Sequence, residues 1–436
     1  MNIIESTEQY EQWLEQQLAV ESLEIDHSAL RVKHDEMAKA PFAFFRATFY
    51  RWAQCWPKRS HPWCEAPEVL AIGDLHAENF GTWRDSEGRL VWGINDFDEV
   101  ALLPYTNDLV RLAVSAQLAI NGNHYLALDF RTACEQILAG YEETLRAGKK
   151  GASPWVLSEK NDWLREIAAA QVRDPNKFWD KLKRHQASSD SPALTKKVET
   201  TKSNKASPQK SADKEKATGS KLPLQPNDTS GDAFQSTLSA ASTPDEATAL
   251  KVSHVPDSAR KAIESHLPLE FQVTQWKRRQ AGLGSLGRPR FVVLGTWQGA
   301  RLAREGKALV PAAASWLNNS QEMPLNIGTF LKSAVRCPDP HFTIQGRWLV
   351  RRLAPDCTKL ELFDIPKRYE EQFLFAMGRE TANLHLSSDN AIPAVLKHLK
   401  NLPPDWLEEA AEECVARVMK DWTIWREHNK LSSRKK

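Results

Sequence analysis

The stretch that decides the fold is residues 72–80, Ile-Gly-Asp-Leu-His-Ala-Glu-Asn-Phe, followed by residues 94–99, Ile-Asn-Asp-Phe-Asp-Glu. It places Asp74 five residues before Asn79, and it places Asp96 at the end of a short apolar run. Apolar runs of this length, flanked by turn residues, predict short strands. We therefore expect a loop and a strand end that bring two carboxylates and an amide together.

This set of side chains matches the needs of phosphoryl transfer. One carboxylate orients the attacking hydroxyl or accepts its proton, while an amide oxygen and a second carboxylate hold Mg²⁺ on the nucleotide phosphates. We expect Asp74 to be the base, with His76 able to contact the γ-phosphate. Asn79, Asp96 and Asp98 are the predicted metal ligands.

Two other interpretations of these residues stay open. Asp, Asn and His between short hydrophobic strands are common turn residues with no chemical role. A metal-dependent hydrolase could also use Asp74, His76, Asp96 and Asp98 as metal ligands.

The spacing of this segment resembles a known catalytic loop. The step from Asp74 to Asn79 is that of the protein-kinase catalytic loop, and residues 96–98 lie where such a fold carries its metal-binding Asp. The aminoglycoside phosphotransferase and choline kinase group is more similar still, because His76 follows Asp74 by two. The resemblance implies ATP and Mg²⁺ as cofactors.

A second motif, residues 282–287, reads Gly-Leu-Gly-Ser-Leu-Gly and predicts a phosphate-binding loop. Glycines let backbone amides approach phosphate oxygens closely. Strand-like residues lie on both sides, which favours a strand–turn–strand loop over a dinucleotide-binding turn. The alternatives are that residues 282–287 form an ordinary hairpin turn and that Lys307 is a surface lysine. The predicted nucleotide-binding residues are Gly282, Gly284, Ser285, Gly287 and Lys307.

The order of the motifs differs from that of an ordinary kinase. The glycine loop follows the catalytic segment by about 200 residues, and residues 375–385 resemble the helix that usually precedes a catalytic loop. Permutation is physically reasonable where the original termini can be joined over the surface. We therefore predict an α+β, two-lobed, protein-kinase-like fold in circularly permuted order.

Composition and periodicity divide the chain into four parts. Residues 186–249 are dominated by Ser, Thr, Lys, Asp, Ala and Pro, so they predict a disordered linker or insert. The other three parts are a helical catalytic-loop lobe (1–185), a β-rich nucleotide lobe (250–365) and C-terminal helices that pack back on the first lobe (366–430). Helices are predicted over residues 6–24 with Thr7 as the cap, and over 41–56, 108–120, 125–147, 158–185, 366–386 and 406–427.

Length and charge set the broad class. The 436 residues suit one two-lobed enzyme with an insert, and the net charge of +2 gives no signal for nucleic acid. The six cysteines are scattered without a Cys-x-x-Cys pair, as is typical of reduced thiols in the cytoplasm. The start of the chain does not resemble a signal peptide, and no apolar run of about 18 residues predicts a membrane span. We expect a cytoplasmic protein with no membrane partner.

These motifs together resemble one bacterial family, domain of unknown function 2252. The resemblance is carried by Pro-Phe-Ala-Phe-Phe-Arg at 41–46, the two catalytic stretches, the glycine loop, Lys307-Ala308 and Arg351-Arg352-Leu353. It implies a cytosolic bacterial protein whose site is similar to that of kinases. The Glu that would pair with Lys307 is Glu305, Glu322 or Glu361.

The function expected from these residues is ATP- and Mg²⁺-dependent phosphoryl transfer to a hydroxyl of a small molecule or a protein. Transfer of AMP by the same fold and nucleotide sensing by a pseudokinase-like module are the alternatives, beside the hydrolase above. The acceptor and the oligomeric state are left open by the sequence. Asp108, at the start of a predicted helix, either fixes the catalytic loop through backbone hydrogen bonds or caps the helix.

Overall fold

The computed structural model shows a mixed α+β protein. It describes residues 1–56, 61–122, 126–158, 160–183, 255–318 and 327–434. The predicted insert (186–249) and Glu322 lie outside the described residues. Within the described part of the chain, no helix combines the length and apolar character needed to cross a bilayer.

The first helix, α1 (Ile3–Ala19), begins where its cap allows. The Asn2 side chain accepts hydrogen bonds from the Ile4 and Glu5 amides, and the Glu5 carboxylate accepts one from the Asn2 amide. This reciprocal capping box satisfies donors that the first turn leaves free. The prediction that Thr7 is the cap is therefore wrong, since the Thr7 hydroxyl bonds to the Ile3 carbonyl inside the helix.

The aromatic segment that was predicted as one helix over 41–56 forms two. They are α3 (Pro41–Ala47) and α4 (Phe49–Cys55), and they follow α2 (His27–Lys39), which the sequence analysis missed. Thr48 separates α3 from α4 with non-helical dihedral angles, and its hydroxyl bonds to the Phe44 carbonyl instead. A threonine that bonds to the preceding turn in this way bends helices.

Short strands surround the catalytic stretch. In one sheet β1 (Glu68–Ala71) pairs antiparallel with β4 (Ala101–Pro104), and in another β2 (Phe80–Arg84) pairs with β3 (Leu90–Ile94). A two-residue strand, β5 (Trp155–Val156), extends the second sheet beyond β3. The predicted strands β1 and β3 are present, and each pairs with a strand that the sequence did not predict.

Helices pack around these strands. α5 (Tyr105–Asn121) is buried along most of its length, and α6 (Phe130–Gly151) lies against it. The segment predicted as one helix over 158–185 contains two, α7 (Asp162–Ala170) and α8 (Pro175–Lys183). Pro175 explains the interruption, since proline favours the first turn of a new helix.

A five-stranded antiparallel sheet follows in the described part of the chain after α9 (Asp257–Glu264), with the strand order β6-β7-β8-β10-β9. Its apolar face packs on α1, α2 and α9 through residues that include Leu30, Ile263 and Phe291. The strands are β6 (Gln272–Arg278), β7 (Arg290–Trp297), β8 (Ala300–Ala308), β9 (Thr343–Gln345) and β10 (Trp348–Leu353), with α10 (Ala313–Leu317) and α11 (Ile327–Ser333) between β8 and β9.

Alternation along these strands puts charged side chains on the other face of the sheet. Arg290 on β7 is opposite Lys307 on β8, and Glu305 on β8 is opposite Arg351 on β10. Residues two apart on a strand share a face, so Glu305 and Lys307 point the same way. Charged side chains that are buried on one face of a sheet need partners of opposite charge.

The C-terminal helices return to the first part of the chain. They are α12 (Glu370–His385), α13 (Ile392–Asn401) and α14 (Trp406–Arg434); α12 packs on α6, and α14 packs on α5 and α2. Glycine allows the close approach of α6 and α12. A Cβ at Gly140 would lie 2.0 Å from the Phe375 carbonyl oxygen, and one at Gly378 would lie 2.1 Å from the Ile137 carbonyl oxygen.

We expect Gly378→Ala to lower the free energy of unfolding by about 1–3 kcal/mol, because a methyl group against a backbone carbonyl forces the helices apart. Gly140→Ala should act in the same direction from the other helix. Urea denaturation followed by circular dichroism measures the change. Glu135→Ala, an exposed position on α6, is the control and should stay within about 0.5 kcal/mol. A Gly378→Ala protein as stable as the control would contradict the packing argument.

Candidate functional site

Asp108 fixes the loop that carries Asp74. Its side chain is fully buried in α5 and accepts hydrogen bonds from the Ile72 amide at 2.7 Å and the Gly73 amide at 3.0 Å. His385 Nε2 lies 2.9 Å from the same carboxylate. Of the two predicted roles of Asp108, the loop-fixing role is confirmed, because the helix begins after Pro104 and Asp108 lies inside it.

Asp74 is held by a buried arginine. Arg111 is fully buried, and its guanidinium donates to Asp74 Oδ1. The guanidinium carbon lies 4.2 Å from the ring centroid of Phe45, 5.0 Å from that of Phe49 and 4.9 Å from that of Trp52. The aromatic segment thus forms a cage that stabilises a cation by cation–π contacts while it packs the core.

The surroundings of Asp74 tune its acidity. Burial raises the pKa of Asp74 to about 7, the Arg111 charge opposes the rise, and the negative charges of Glu99 and Asp96 add to it. The side chain is still 19% exposed, toward a cleft. A carboxylate with a pKa near neutral pH suits a general base, because it can both accept and release a proton there.

His76 and Asn79 are locked into the loop by each other. The Asn79 Oδ1 atom accepts a hydrogen bond from the His76 amide at 2.7 Å, and His76 Nδ1 accepts one from the Glu78 amide at 3.2 Å. Burial, followed by the charges of Arg46 and Lys359, holds the pKa of His76 well below its usual range. The ring is therefore neutral with its proton on Nε2, and Asn79 Oδ1 keeps a second lone pair for a ligand.

Lys307 reaches the second catalytic stretch from the sheet. Its ammonium binds Asp98 Oδ2 and lies 3.6 Å from Asp96 Oδ1, although 209 positions separate Lys307 from Asp98. The side chain is only 3% exposed, so the surface-lysine alternative is wrong. Asp74, Asp96 and Asp98 line the same cleft, and Lys307 contacts the last two of these three aspartates.

The carboxylates of Asp96 and Asp98 differ in their charged and hydrogen-bonding partners. Burial opposes ionisation of Asp96, but the charges of Lys307 and then Lys359 outweigh it and lower the pKa of Asp96 below its usual range. Asp98 Oδ2 also accepts from Arg288 at 3.4 Å, whereas Asp98 Oδ1 is buried and has no hydrogen-bond partner among the residues that the structure describes. An unpartnered buried carboxylate oxygen is costly unless something binds it.

The donor set fits Mg²⁺ chemically. Asn79, Asp96 and Asp98 offer amide and carboxylate oxygens, the hard ligands that Mg²⁺ prefers. Within the described residues, no group of three or more His, Cys, Asp or Glu side chains is arranged to hold a metal. The four ligands of the hydrolase interpretation therefore do not form such a group, whereas the Asn79 set needs only two carboxylates.

Lys307 does not pair with any of the predicted Glu candidates that the structure describes. Glu305 is fully buried and accepts from Arg279, from Arg290 at 3.0 Å and from Arg351 at 2.8 Å. Three guanidinium groups overcome the effect of burial and hold the pKa of Glu305 well below its usual range. The expectation of a Glu305–Lys307 pair is corrected on this ground.

Glu361 is the other candidate in the described chain, and it makes no ion pair with Lys307. The described partners of Lys307 are the two aspartates, so the expected Lys–Glu pair is absent from the described residues and Lys–Asp pairs are present. The two carboxylates that a metal would use therefore share one cation of the sheet, which offsets one of their two negative charges.

The glycine loop lies between β6 and β7, in the predicted strand–turn–strand order. Gly282 and Gly287 have φ angles of +76° and +99°, which favour glycine. Gly284 lies over the catalytic loop, since a Cβ there would be 3.3 Å from Asp74 Oδ2. Arg290 donates to Ser285 Oγ at 2.7 Å, so the loop is tied to Glu305 through Arg290.

Several residues of the cleft were not assigned to the site from the sequence. Arg288 directly follows the glycine loop and donates to Glu99 at 2.7 Å and to the Tyr10 hydroxyl at 3.3 Å. Lys33 lies 3.5 Å from the Gly284 carbonyl, and burial lowers its pKa to about 8. The position of Arg288 next to the glycine loop is a sequence signal that could have identified it as a site residue. Three other residues lie in segments without any motif, so the sequence gives no such signal for them: Lys33, Arg111 and Lys359.

One family model matches this chain. It covers residues 26–305 and is described as an uncharacterized protein conserved in bacteria, DUF2252. No curated protein and no solved structure matches the chain.

The raised pKa of Asp74 predicts a pH dependence of stability. An acid whose pKa is raised by folding stabilises the folded state most below its unfolded pKa, and that contribution is lost as the pH rises through the folded pKa. For Asp74 the window runs from 3.8 to about 7. Relative to Asp74→Asn, the wild-type free energy of unfolding should therefore fall as the pH is raised across this window.

Urea denaturation at several pH values from 4 to 8 measures this difference. Glu380, whose pKa burial raises to about 7, is present in both proteins and cancels from the comparison. Asp180→Asn removes an exposed carboxylate of α8 and controls for the substitution itself. Parallel curves for wild type and Asp74→Asn would show that Asp74 titrates alike in the folded and unfolded states.

Proposed function

The chain belongs to the bacterial family DUF2252, and on that premise we propose that it is an ATP- and Mg²⁺-dependent phosphotransferase with a protein-kinase-like fold in circularly permuted order. Its acceptor is a hydroxyl group of a small molecule or a protein. The observation that carries the proposal is the contact of Lys307, from the sheet, with Asp96 and Asp98 at the end of the catalytic stretch.

The arrangement of the sheet supports this proposal. Protein kinases place a glycine-rich loop over the nucleotide phosphates, a lysine on the third strand and a metal-binding Asp opposite that lysine. Here the glycine loop joins β6 and β7, Lys307 lies on the next strand β8, and its partners are Asp96 and Asp98. The strands come after the catalytic stretch in the chain, which is the order expected of a permuted kinase.

The side chains of the cleft can divide the chemistry. Asp74 would accept the proton of the attacking hydroxyl or orient it, with Arg111 holding the carboxylate in place. Asn79, Asp96 and Asp98 would hold Mg²⁺, which when bound neutralises charge on the phosphate oxygens. Lys307 and the amides of the glycine loop would bind the phosphates. Gly284 lies against Asp74, so the loop must lift before a triphosphate reaches this carboxylate.

We expect the γ-phosphate, rather than the α-phosphate, of ATP to be transferred or released by the purified protein. Incubation with Mg²⁺ and ATP labelled at either position distinguishes the two. AMP transfer moves the α label to the acceptor and releases the γ label as pyrophosphate, whereas phosphoryl transfer moves the γ label to the acceptor, or to inorganic phosphate, and leaves the α label in ADP. Asp74→Asn keeps the shape of the side chain but removes the base, so it should reduce γ-label turnover by about 100-fold or more. Movement of the α label to an acceptor would instead mean that the fold transfers AMP.

We expect Asp96→Ala to weaken Mg²⁺-ATP binding about tenfold or more while it leaves metal-free ATP binding within about twofold, because only the metal-dependent part is lost. Lys307→Met should weaken ATP binding with and without Mg²⁺. Isothermal titration calorimetry measures both. Lys397→Ala on the exposed side of α13 is the matched control. Equal Mg²⁺-ATP affinity of Asp96→Ala and wild type would remove the metal assignment.

A further inference from the structure

Lys359 stands out among the cations that line the cleft. Among the described residues, the cationic side chains that line the cleft are those of Arg46, Arg288 and Lys359. Arg46 binds the Glu78 carboxylate, and Arg288 binds Glu99 at 2.7 Å. The Lys359 ammonium makes no hydrogen bond or ion pair with any residue of the described chain.

The carboxylates at the centre of the cleft do not need Lys359 as a partner. Each of the four acidic side chains that line it already contacts another cation. The pairs are Asp74 with Arg111, Asp96 and Asp98 with Lys307, and Glu99 with Arg288. Lys359 forms no ion pair with these four groups, although its charge favours the ionised form of Asp96 from a distance. A partly buried ammonium gains from an anionic partner in direct contact.

The backbone holds Lys359 firmly beside the catalytic stretch. Lys359 forms a β-bridge with Gly81, and the Thr82 amide donates to the Thr358 carbonyl at 2.8 Å. Gly81 permits this approach, since a Cβ there would lie 2.5 Å from the Thr358 carbonyl oxygen. The backbone of Lys359 is therefore held in place beside the cleft that its side chain lines.

The charge of Lys359 acts on the predicted catalytic groups. After burial and the charge of Arg46, Lys359 is the next cause of the lowered pKa of His76, and at Asp96 it adds to the effect of Lys307. Arg46 Nε is buried without a hydrogen-bond partner among the described residues. Two cations and a neutral histidine that carries an Nε2 proton therefore line the same cleft, and both charges act on the histidine.

Besides Asp96, the acidic groups whose charges act on Lys359 are Glu78 and Glu361. Glu78 is bound to Arg46. Burial and then the charge of Glu78 raise the pKa of Glu361, which favours its neutral form. Neither carboxylate makes an ion pair with Lys359 among the described residues.

We propose that Lys359, with Arg46 and His76 beside it, forms a subsite for an oxyanion next to Asp74. The oxyanion is a phosphate or carboxylate group, which N–H donors with positive charge bind well. On the proposed function it has two sources: the γ-phosphate of the nucleotide, or an anionic group on the acceptor. In the second case the substrate class is an alcohol that already carries a phosphate or a carboxylate.

Inorganic phosphate is the probe, with the full-length chain and no nucleotide. We expect Lys359→Ala to raise the dissociation constant for phosphate by about tenfold or more, and Lys359→Arg to restore much of the affinity because the charge returns. Lys397→Ala, an exposed lysine of α13, should bind phosphate like wild type. Circular dichroism melting confirms that each variant is folded.

Mg²⁺-ADP and Mg²⁺-ATP distinguish the two sources. If the subsite takes the γ-phosphate, Lys359→Ala loses affinity for Mg²⁺-ATP but not for Mg²⁺-ADP, and phosphate competes with ATP. If it takes the acceptor, both nucleotides bind Lys359→Ala as they bind wild type, and phosphate binds the Mg²⁺-ATP complex. Either result supports an oxyanion subsite at Lys359.

Two results would overturn the proposal. One is equal phosphate affinity of wild type and Lys359→Ala; the other is no phosphate binding by wild type at millimolar concentrations. Failure of the proposed function would give a different result from failure of the oxyanion subsite. In that case wild type would bind no Mg²⁺-ATP, while its phosphate binding would still depend on Lys359.

Discussion

The buried ion network that joins Lys307 to Asp98, and Asp98 through Arg288 to Glu99, is the constraint on which the site depends. A single charge removed from water without a partner costs several kcal/mol, so these groups can be buried only together. Lys307 comes from β8 and Arg288 from the end of the glycine loop, while both acids follow β3. The sheet and the catalytic stretch must therefore meet in one register for any of these charges to be buried.

A second set of contacts makes one carboxylate different from its neighbours. Asp74 and Asp96 line the same cleft, yet burial raises the pKa of Asp74, whereas Lys307 and Lys359 lower that of Asp96 against the effect of burial. Arg111 limits the rise at Asp74 from inside an aromatic cage. Two carboxylates of one cleft thus differ in acidity, since Asp74 can exchange a proton near neutral pH and Asp96 stays ionised there.

Local sequence rules succeeded where a short stretch decides the outcome. The strands β1, β3 and β7, the helices α5 and α12 and the hairpin position of the glycine loop agree with the predictions within a few residues. Local sequence rules failed where a single polar contact competes with the periodicity of apolar residues. Asn2 rather than Thr7 starts α1, and Thr48 divides a segment whose aromatic residues suggest one helix. Strands β2 and β4 were missed because each depends on a partner strand for its hydrogen bonds.

The sequence by itself determined the candidate chemistry: the spacing of Asp74, Asn79 and Asp96, and the three glycines at positions 282, 284 and 287. It also determined membership of a bacterial family, because the motifs are read residue by residue. Only the tertiary structure decided the partners of Lys307, which are aspartates rather than a glutamate, and the cation at Asp74, which is Arg111. Charge pairing acts over a few ångströms between residues hundreds of positions apart, so no local pattern encodes it.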